Sequence, residues 1–314
     1  MSAYPPCRAQ RQQGVALITA ILVVALATTA AAAMMSRQQL DIRRSANLME
    51  ADQIRLYERG MVGWAGQILR RDREQGVVDH LKEEWATLLP PMPVENGQLA
   101  GYLEDMQGRF NLNSLLKDGV KDELAVARFR RLLALLGLDQ DLATAVVDWL
   151  DKDIDMGFPG GAEDYVYLGR QPAYRAANRL MVSPSELLLI DGVGQEQYHK
   201  LAPFVAVLPA ATGININTAS AQVLMSLADG IDEKAAEQLQ QGRGEGGYSD
   251  IGKFLAQDVF AGREVSEEGL AIGSSYFMAT SDISIGRIQQ RHFDLLYRND
   301  QGQTHTLMHS VGVL

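Results

Sequence analysis

The densest chemistry in the chain lies in the stretch DWLDKDIDMGFPGGAEDYVY. Asp148, Asp151, Asp153, Asp155, Glu163 and Asp164 fall within 17 positions, and Lys152 is the only base among them. Carboxylates crowded in this way repel one another unless a cation or a proton shares the site. The alternation of Asp151, Asp153 and Asp155 matches the donor spacing of a calcium loop, since Ca2+ takes about six to eight oxygen ligands. The glycines of the segment let backbone carbonyls turn inward. An EF-hand does not fit, because the sixth position counted from Asp151 is Met156 and the twelfth is Ala162. No Cys or His lies nearby, which disfavours zinc and copper. By spacing alone, a calcium loop and a solvated acidic loop capping a helix that starts near Asp164 stand level. Asp148, one turn before Lys152, reads as a supporting or salt-bridging residue.

No catalytic constellation accompanies these acids. His80, His199, His292, His305 and His309 are scattered, three of them in the terminal strands, and neither a Gly-x-Ser-x-Gly elbow, a Walker loop nor a His-Glu-x-x-His pair occurs. The glycine-rich GRGEGG (242–247) follows no strand and leads to no Lys-Ser/Thr, so it reads as a loop. The chain is therefore expected to be no enzyme, a metal-assisted hydrolase built on the acidic loop being the enzymatic alternative. A formal net charge of -10 opposes nucleic-acid binding, which needs a concentrated positive surface. The single cysteine, Cys7, allows no internal disulfide framework.

The elements that must position these residues follow from periodicity. LPPMPVENGQLA breaks a preceding helical pattern with prolines and an Asn-Gly turn signal, and QLAGYLEDMQGRFNLNSL reads as a strand or hairpin. From Lys121 to about Leu150 the pattern is helical, with Gly137 separating two helices. Ser183 and Glu186 form a capping box in SPSELLL. FNLNS and NINTA share Asn-x-Asn-[Ser/Thr], whose Ser114 or Thr218 is expected to cap the following helix. The segment from SSYFMATSD onward alternates with period two around an NDQG turn and predicts an antiparallel meander. Two stretches, SELLLIDGVGQEQYHKL and NINTAS with the helices after it, resemble the helix-hairpin-helix of DNA-uptake and repair proteins. Asp191 and Glu196 stand at one turn, and Asp229, Asp232 and Glu233 at the other, where a phosphate backbone would be repelled. The hairpins therefore read as helix-packing modules.

At the N-terminus, Val15 to Met35 carries no charge over 21 residues, which at about 1.5 Å per residue spans the roughly 30 Å hydrocarbon layer. Arg8 and Arg11 precede it and put the N-terminus on the cytoplasmic side. A cleaved secretory signal is one reading, since ATTAAAAM offers small-residue cleavage sites. The helical pattern continues past Ser36 toward Asp72, however, predicting one helix of about 50 residues. A basic leader ending in Gly14, then VALITAILVVALATT and a long helix, resembles the class III signal of type IV pilins and type II secretion pseudopilins. In that family a prepilin peptidase cuts after the glycine and leaves the apolar helix attached. The usual glutamate at the fifth mature position is replaced here by Thr19. That change and the large size resemble the minor pseudopilin family called general secretion pathway protein K.

The resemblance implies cleavage between Gly14 and Val15, a methylated new N-terminus, and a single-pass inner-membrane protein with a periplasmic C-terminal domain. It implies an α+β fold: a long transmembrane helix and a small pilin-like antiparallel sheet carrying a large inserted helical domain, SAM-like or helix-hairpin-helix-like. The expected divisions are a leader at 1–14, the transmembrane part at 15–35, the rest of the helix and the first strands at 36–112, the inserted domain at 113–262, and the final strands at 263–314. Structural calcium is implied, with Asp151, Asp153, Glu163 and Asp164 as ligands, followed by Asn178. The implied role is a tip component that helps initiate the pseudopilus, with minor pseudopilins I and J as partners, then H and the major pseudopilin G, and no nucleic acid. A DNA-binding minor pilin using the hairpins is the alternative.

Overall fold

The computed structural model describes residues 13–313, so the leader positions Cys7, Arg8 and Arg11 lie outside the described residues. The chain forms two units, one ending at Arg55 and one beginning at Leu56.

In the first unit, helix α1 (Gln13–Gln75) begins, and at 63 residues it exceeds the expected length. No proline interrupts it, and it runs unbroken through Gly60, Gly63 and Gly66. The apolar side chains from Val15 to Met35 are exposed, as in a helix whose surroundings are themselves apolar. Its polar groups are satisfied within the helix: Thr19 Oγ1 donates to the carbonyls of Val15 and Ala16, each at 3.0 Å. Thr28 and Thr29 bond back in the same way. Thr19 thus leaves no unpaired polar group within this apolar stretch, whereas a glutamate there would need a partner.

The second unit contains the remaining elements. The edge strand β1 (Leu89–Val94) turns at Glu95-Asn96 into β2 (Gly97–Asp105). Three prolines made LPPMPV read only as a break, yet it is a strand, because an edge position does not need every N–H. After a 3-10 turn come β3 (Phe110–Asn111), a second 3-10 turn, and the two-residue strands β4 (Leu116–Lys117) and β5 (Val120–Lys121). The helices α2 (Glu123–Leu135) and α3 (Leu142–Leu150) follow, separated by Gly137 at φ +67°. Beyond the acidic loop lie α4 (Asp164–Tyr167), a 3-10 helix at Pro184–Leu189 that carries the predicted Ser183–Glu186 box, and α5 (Gln195–Leu201). Next are β6 (Val205–Ala206), β7 (Ile214–Asn215), α6 (Ala221–Met225), α7 (Glu233–Gly242), α8 (Ile251–Leu255) and β8 (Leu270–Ala271). The predicted meander closes the chain as β9 (Tyr276–Ile285), β10 (Ile288–Arg298) and β11 (Thr304–Val311).

The main sheet is fully antiparallel in the order β1-β2-β9-β10-β11. Period-two alternation gives it two faces. Phe277, Ala279, Leu296 and Leu103 pack with Trp85 against Ala65, Ile68 and Leu69 of α1. Met278 and Leu295 point the other way, onto Met106, Ala206 and Leu208. Arg298, 2% exposed, holds the corner. It bonds Asp72 at 2.7 Å and Asp79 at 2.5 and 2.7 Å, and stands 4.7 Å over the Phe277 ring. Between β2 and β9 the helices share one continuous core that includes Phe129, Trp149, Leu187, Leu224 and Phe254.

The Asn-x-Asn motifs correct the capping expectation. Ser114 exchanges hydrogen bonds with the Thr212 backbone, and Thr218 Oγ1 donates to Asp105 at 2.6 Å; the cap of α6 is Ser220. The asparagines are the working residues. Asn113 Nδ2 donates to the carbonyls of Met181 and Leu208, and its Oδ1 accepts from Met181 N. Asn217 does the same with Tyr248, receiving its N–H and donating to its carbonyl and to that of Ile272. Each motif starts on the last residue of a short strand that pairs in parallel with a later one, β3 with β6 and β7 with β8. The helical region is thus two copies of one strand, Asn-clamp and helix module.

Candidate metal centre

Helix α3 ends at Leu150, and Asp151 already has extended backbone. The loop doubles back over the end of the helix because Asp148 holds it: one carboxylate oxygen accepts from Gly157 N at 3.0 Å and from Ala162 N at 2.9 Å. The fold leaves no room for side chains there. A Cβ on Gly157 would meet Thr144 and Asp148, and one on Gly161 would run into the Gly157 carbonyl and Asp148. These contacts make Asp148 a supporting residue.

The loop brings Asp151, Asp153 and Glu163 together, with carboxylate oxygens within 4.8 Å of one another. Asn178, at φ +46°, is fixed by its N–H to Trp149 O at 3.0 Å and by Nδ2 to Asp153 O at 3.2 Å. Glu163 is 4% exposed, and neither of its carboxylate oxygens has a hydrogen-bond partner; Asp151 Oδ1 and Asn178 Oδ1 are buried and unpartnered as well. Burial, then the charges of Asp148 and Asp151, push Glu163 up to about 7. Burial, then Asp153 and Asp148, push Asp151 up to about 6. Burial likewise raises Asp148.

Asp164, expected among the ligands, is elsewhere. It faces Arg175 at 2.8 Å and accepts from Ala176 N at 3.0 Å. Nor does Glu163 explain itself as a helix cap, since it makes no capping bond to α4. Unpaired buried carboxylates are costly unless a cation completes them. The four orphaned atoms are all hard oxygens, so the donor set fits Ca2+ and not zinc or copper. Asn178 carries more of the site than its sequence context suggested, through its positive φ, which asparagine tolerates.

The helix-hairpin-helix turns are occupied by internal ion pairs. Arg131 binds Asp229 at 2.7 and 3.0 Å, Arg170 pairs with Asp191, and Lys200 pairs with Glu196 at 2.8 Å. Asp232 caps α7 through Ala235 N.

Comparison with known proteins agrees with this architecture. Two family models described as type II secretion system protein K match residues 108–210 and 214–273, one on each Asn-clamp module. The type II secretion system protein K of Pseudomonas aeruginosa is 38% identical over 312 residues, covering 96% of this chain and 93% of that protein. The chain belongs to the type II secretion system protein K family. The protein K of Klebsiella pneumoniae is 31% identical over 94% of both chains. The crystal structure of the GspK-GspI-GspJ complex from enterotoxigenic Escherichia coli superposes with a TM-score of 0.77 at 29% identity, covering 86% of this chain and 100% of that one. The mixed fold with a long apolar helix and an antiparallel sheet is therefore that of the family, and the chain is a minor pseudopilin of type II secretion. The DNA-binding alternative finds no support in these relatives. The apolar part of α1 is long enough to cross a membrane once.

Proposed function

We propose that this minor pseudopilin sits at the tip of the type II secretion pseudopilus and helps initiate its assembly, with minor pseudopilins I and J beside it and H and the major pseudopilin G below. The likeness over most of the chain to a structure solved as a GspK-GspI-GspJ complex carries this reading. The prepilin peptidase cuts between Gly14 and Val15, the new N-terminus is methylated, and the segment at 15–35 stays in the inner membrane with the rest in the periplasm. The helical modules between β2 and β9 share one core, and in this reading that block bars a further pseudopilin above. Thr19, self-satisfied within α1, lets the protein stand without a neighbour ahead of it. The divisions at 36–112, 113–262 and 263–314 separate the sheet from this block. The role is one of assembly, not of catalysis.

Calcium is the structural ion of the block, held by Asp151, Asp153 and Glu163 with Asn178 Oδ1. It neutralises the carboxylates and ties the loop to the end of α3. The test uses the full chain in detergent, co-purified with I and J, with calorimetry in calcium after chelation. Saturable calcium binding by the wild type that is lost in Asp151→Ala/Asp153→Ala, with I and J retained in calcium, is expected. Failure to retain I and J sinks the tip reading; absent calcium binding sinks the ion site alone.

A further inference from the structure

A second group of donors lies between α1 and the β10–β11 hairpin, far in sequence from the acidic loop. The hairpin register sets Asp294 opposite His309, and β9 sets Ser281 opposite His292. Period two then places His292 and Asp294 on the same face as Leu296, the face packed against α1. Glu58 of α1 completes the group. His309 Nδ1 is 2.8 Å from Asp294 Oδ1 and 3.9 Å from Glu58 Oε1. One donor atom from each of Glu58, Asp294 and His309 lies within 4.8 Å of the others, and the His292 ring centroid is 5.5 Å from that of His309.

Hydrogen bonding within the group is incomplete. His292 and Asp294 are each 2% exposed, yet both ring nitrogens of His292 and Asp294 Oδ2 have no hydrogen-bond partner, and neither does the neighbouring Ser281 Oγ. A His309–Asp294 ion pair accounts for Asp294 Oδ1 and leaves the other atoms unexplained. Among the described residues, the other buried side-chain atoms without a partner are those of the acidic loop with Asn178 and the Nε of Arg128 and Arg130, whereas Asn217 and Asp79 are bonded. Buried donors and acceptors without partners are rare because each costs free energy, and such a group signals a ligand. Two imidazoles with two carboxylates suit a borderline divalent ion, whereas calcium prefers oxygen alone. Two carboxylates and neutral imidazoles also balance a charge of plus two.

We infer that Glu58, His292, Asp294 and His309 form a binding site for one divalent transition-metal ion of the zinc class, which staples the edge strand β11 and β10 to α1. The site is independent of the calcium loop and of the tip reading.

The test uses the full chain in detergent, stripped by chelation and returned to saturating calcium so that the acidic loop is filled. Equilibrium dialysis against zinc and visible absorption with cobalt are then measured. Expected are one zinc per chain and the intense cobalt bands of a four-coordinate site. His309 is exposed, so His309→Ala keeps the fold by circular dichroism; it lowers zinc affinity about 100-fold or more, beyond the loss typical of an outer-sphere partner. Absence of stoichiometric zinc on the wild type, or wild-type affinity in His309→Ala, overturns the site. Weak six-coordinate cobalt bands overturn it too, and that reading needs no variant to fold.

Discussion

Asn217→Ala tests whether the Asn-x-Asn motifs hold the helical modules together. Asn217 is wholly buried, and Tyr248 is 5% exposed. The substitution removes the acceptor of Tyr248 N–H at 2.6 Å and the donor to the carbonyls of Tyr248 and Ile272 at 3.1 and 3.3 Å. Each buried group left unpaired costs about 1–3 kcal/mol. Ile272 is only part-buried, so water recovers some of its share, and the expected loss is about 3–5 kcal/mol. For a unit of this size that lowers the melting temperature by on the order of 10 °C. Asn217→Asp separates hydrogen bonding from packing: it keeps the shape and turns a carboxylate oxygen toward two carbonyls, so it should destabilise at least as much as alanine. Asn113→Ala, removing the equivalent bonds to Met181 and Leu208, should give a loss of similar size. Urea and thermal unfolding of the full chain in detergent measure all three. A loss below about 1 kcal/mol in both Asn217 variants would refute the clamp, because no unpaired buried group of that kind costs so little.

Three further outcomes are expected. Arg298→Met leaves the buried Asp79 carboxylate without its cationic partner, with only the Ser274 N–H still bonded to it, and should cost about 3–5 kcal/mol; Arg298→Lys should not restore it, since one ammonium cannot reproduce the paired bonds to Asp72 and Asp79. Gly161→Ala drives a methyl group into the Gly157 carbonyl and Asp148, a strain of about 1–3 kcal/mol that calorimetry should read as roughly tenfold or more lost calcium affinity. Asp105 is pushed up to about 6, by burial first, against the lowering effect of Thr218, Ser274 and Gln107. Its folded pKa lies above the unfolded value, so the protonated fold is favoured below about pH 4 and that stability is lost as pH rises to about 6. Wild type should therefore lose about 1–3 kcal/mol relative to Asp105→Asn across that window, and a constant difference would refute the assignment.

Local signals were legible and remote partners were not. The membrane-length run, the Gly137 break, the Ser183–Glu186 box and the terminal meander each depend on residues close in sequence, and each is present. The strand of prolines was hidden because its pairing with β2 is acceptable only at a sheet edge, and edge position is a property of topology. The Ser114 and Thr218 caps failed for the same reason. Their hydroxyls found Thr212 and Asp105 about a hundred positions away, and those bonds outweighed the local ones.

The candidate metal centre shows the same limit within two adjacent residues. Glu163 and Asp164 are chemically alike and neighbours, and spacing gave no ground for separating them. The backbone separates them. Glu163 is extended at φ -118° and ψ -176°, and Asp164 begins α4, so consecutive side chains leave the chain in opposite directions, as on a strand. One carboxylate is turned into the loop, where burial and Asp148 raise its pKa; the other is turned out to Arg175. The histidines were scattered for a comparable reason: His309 meets Asp294 only through the β10–β11 register, which the NDQG turn announces but does not number. A register shifted by one residue would send His309 to the opposite face, so the placement of that donor group depends on the same hairpin pairing that closes the sheet.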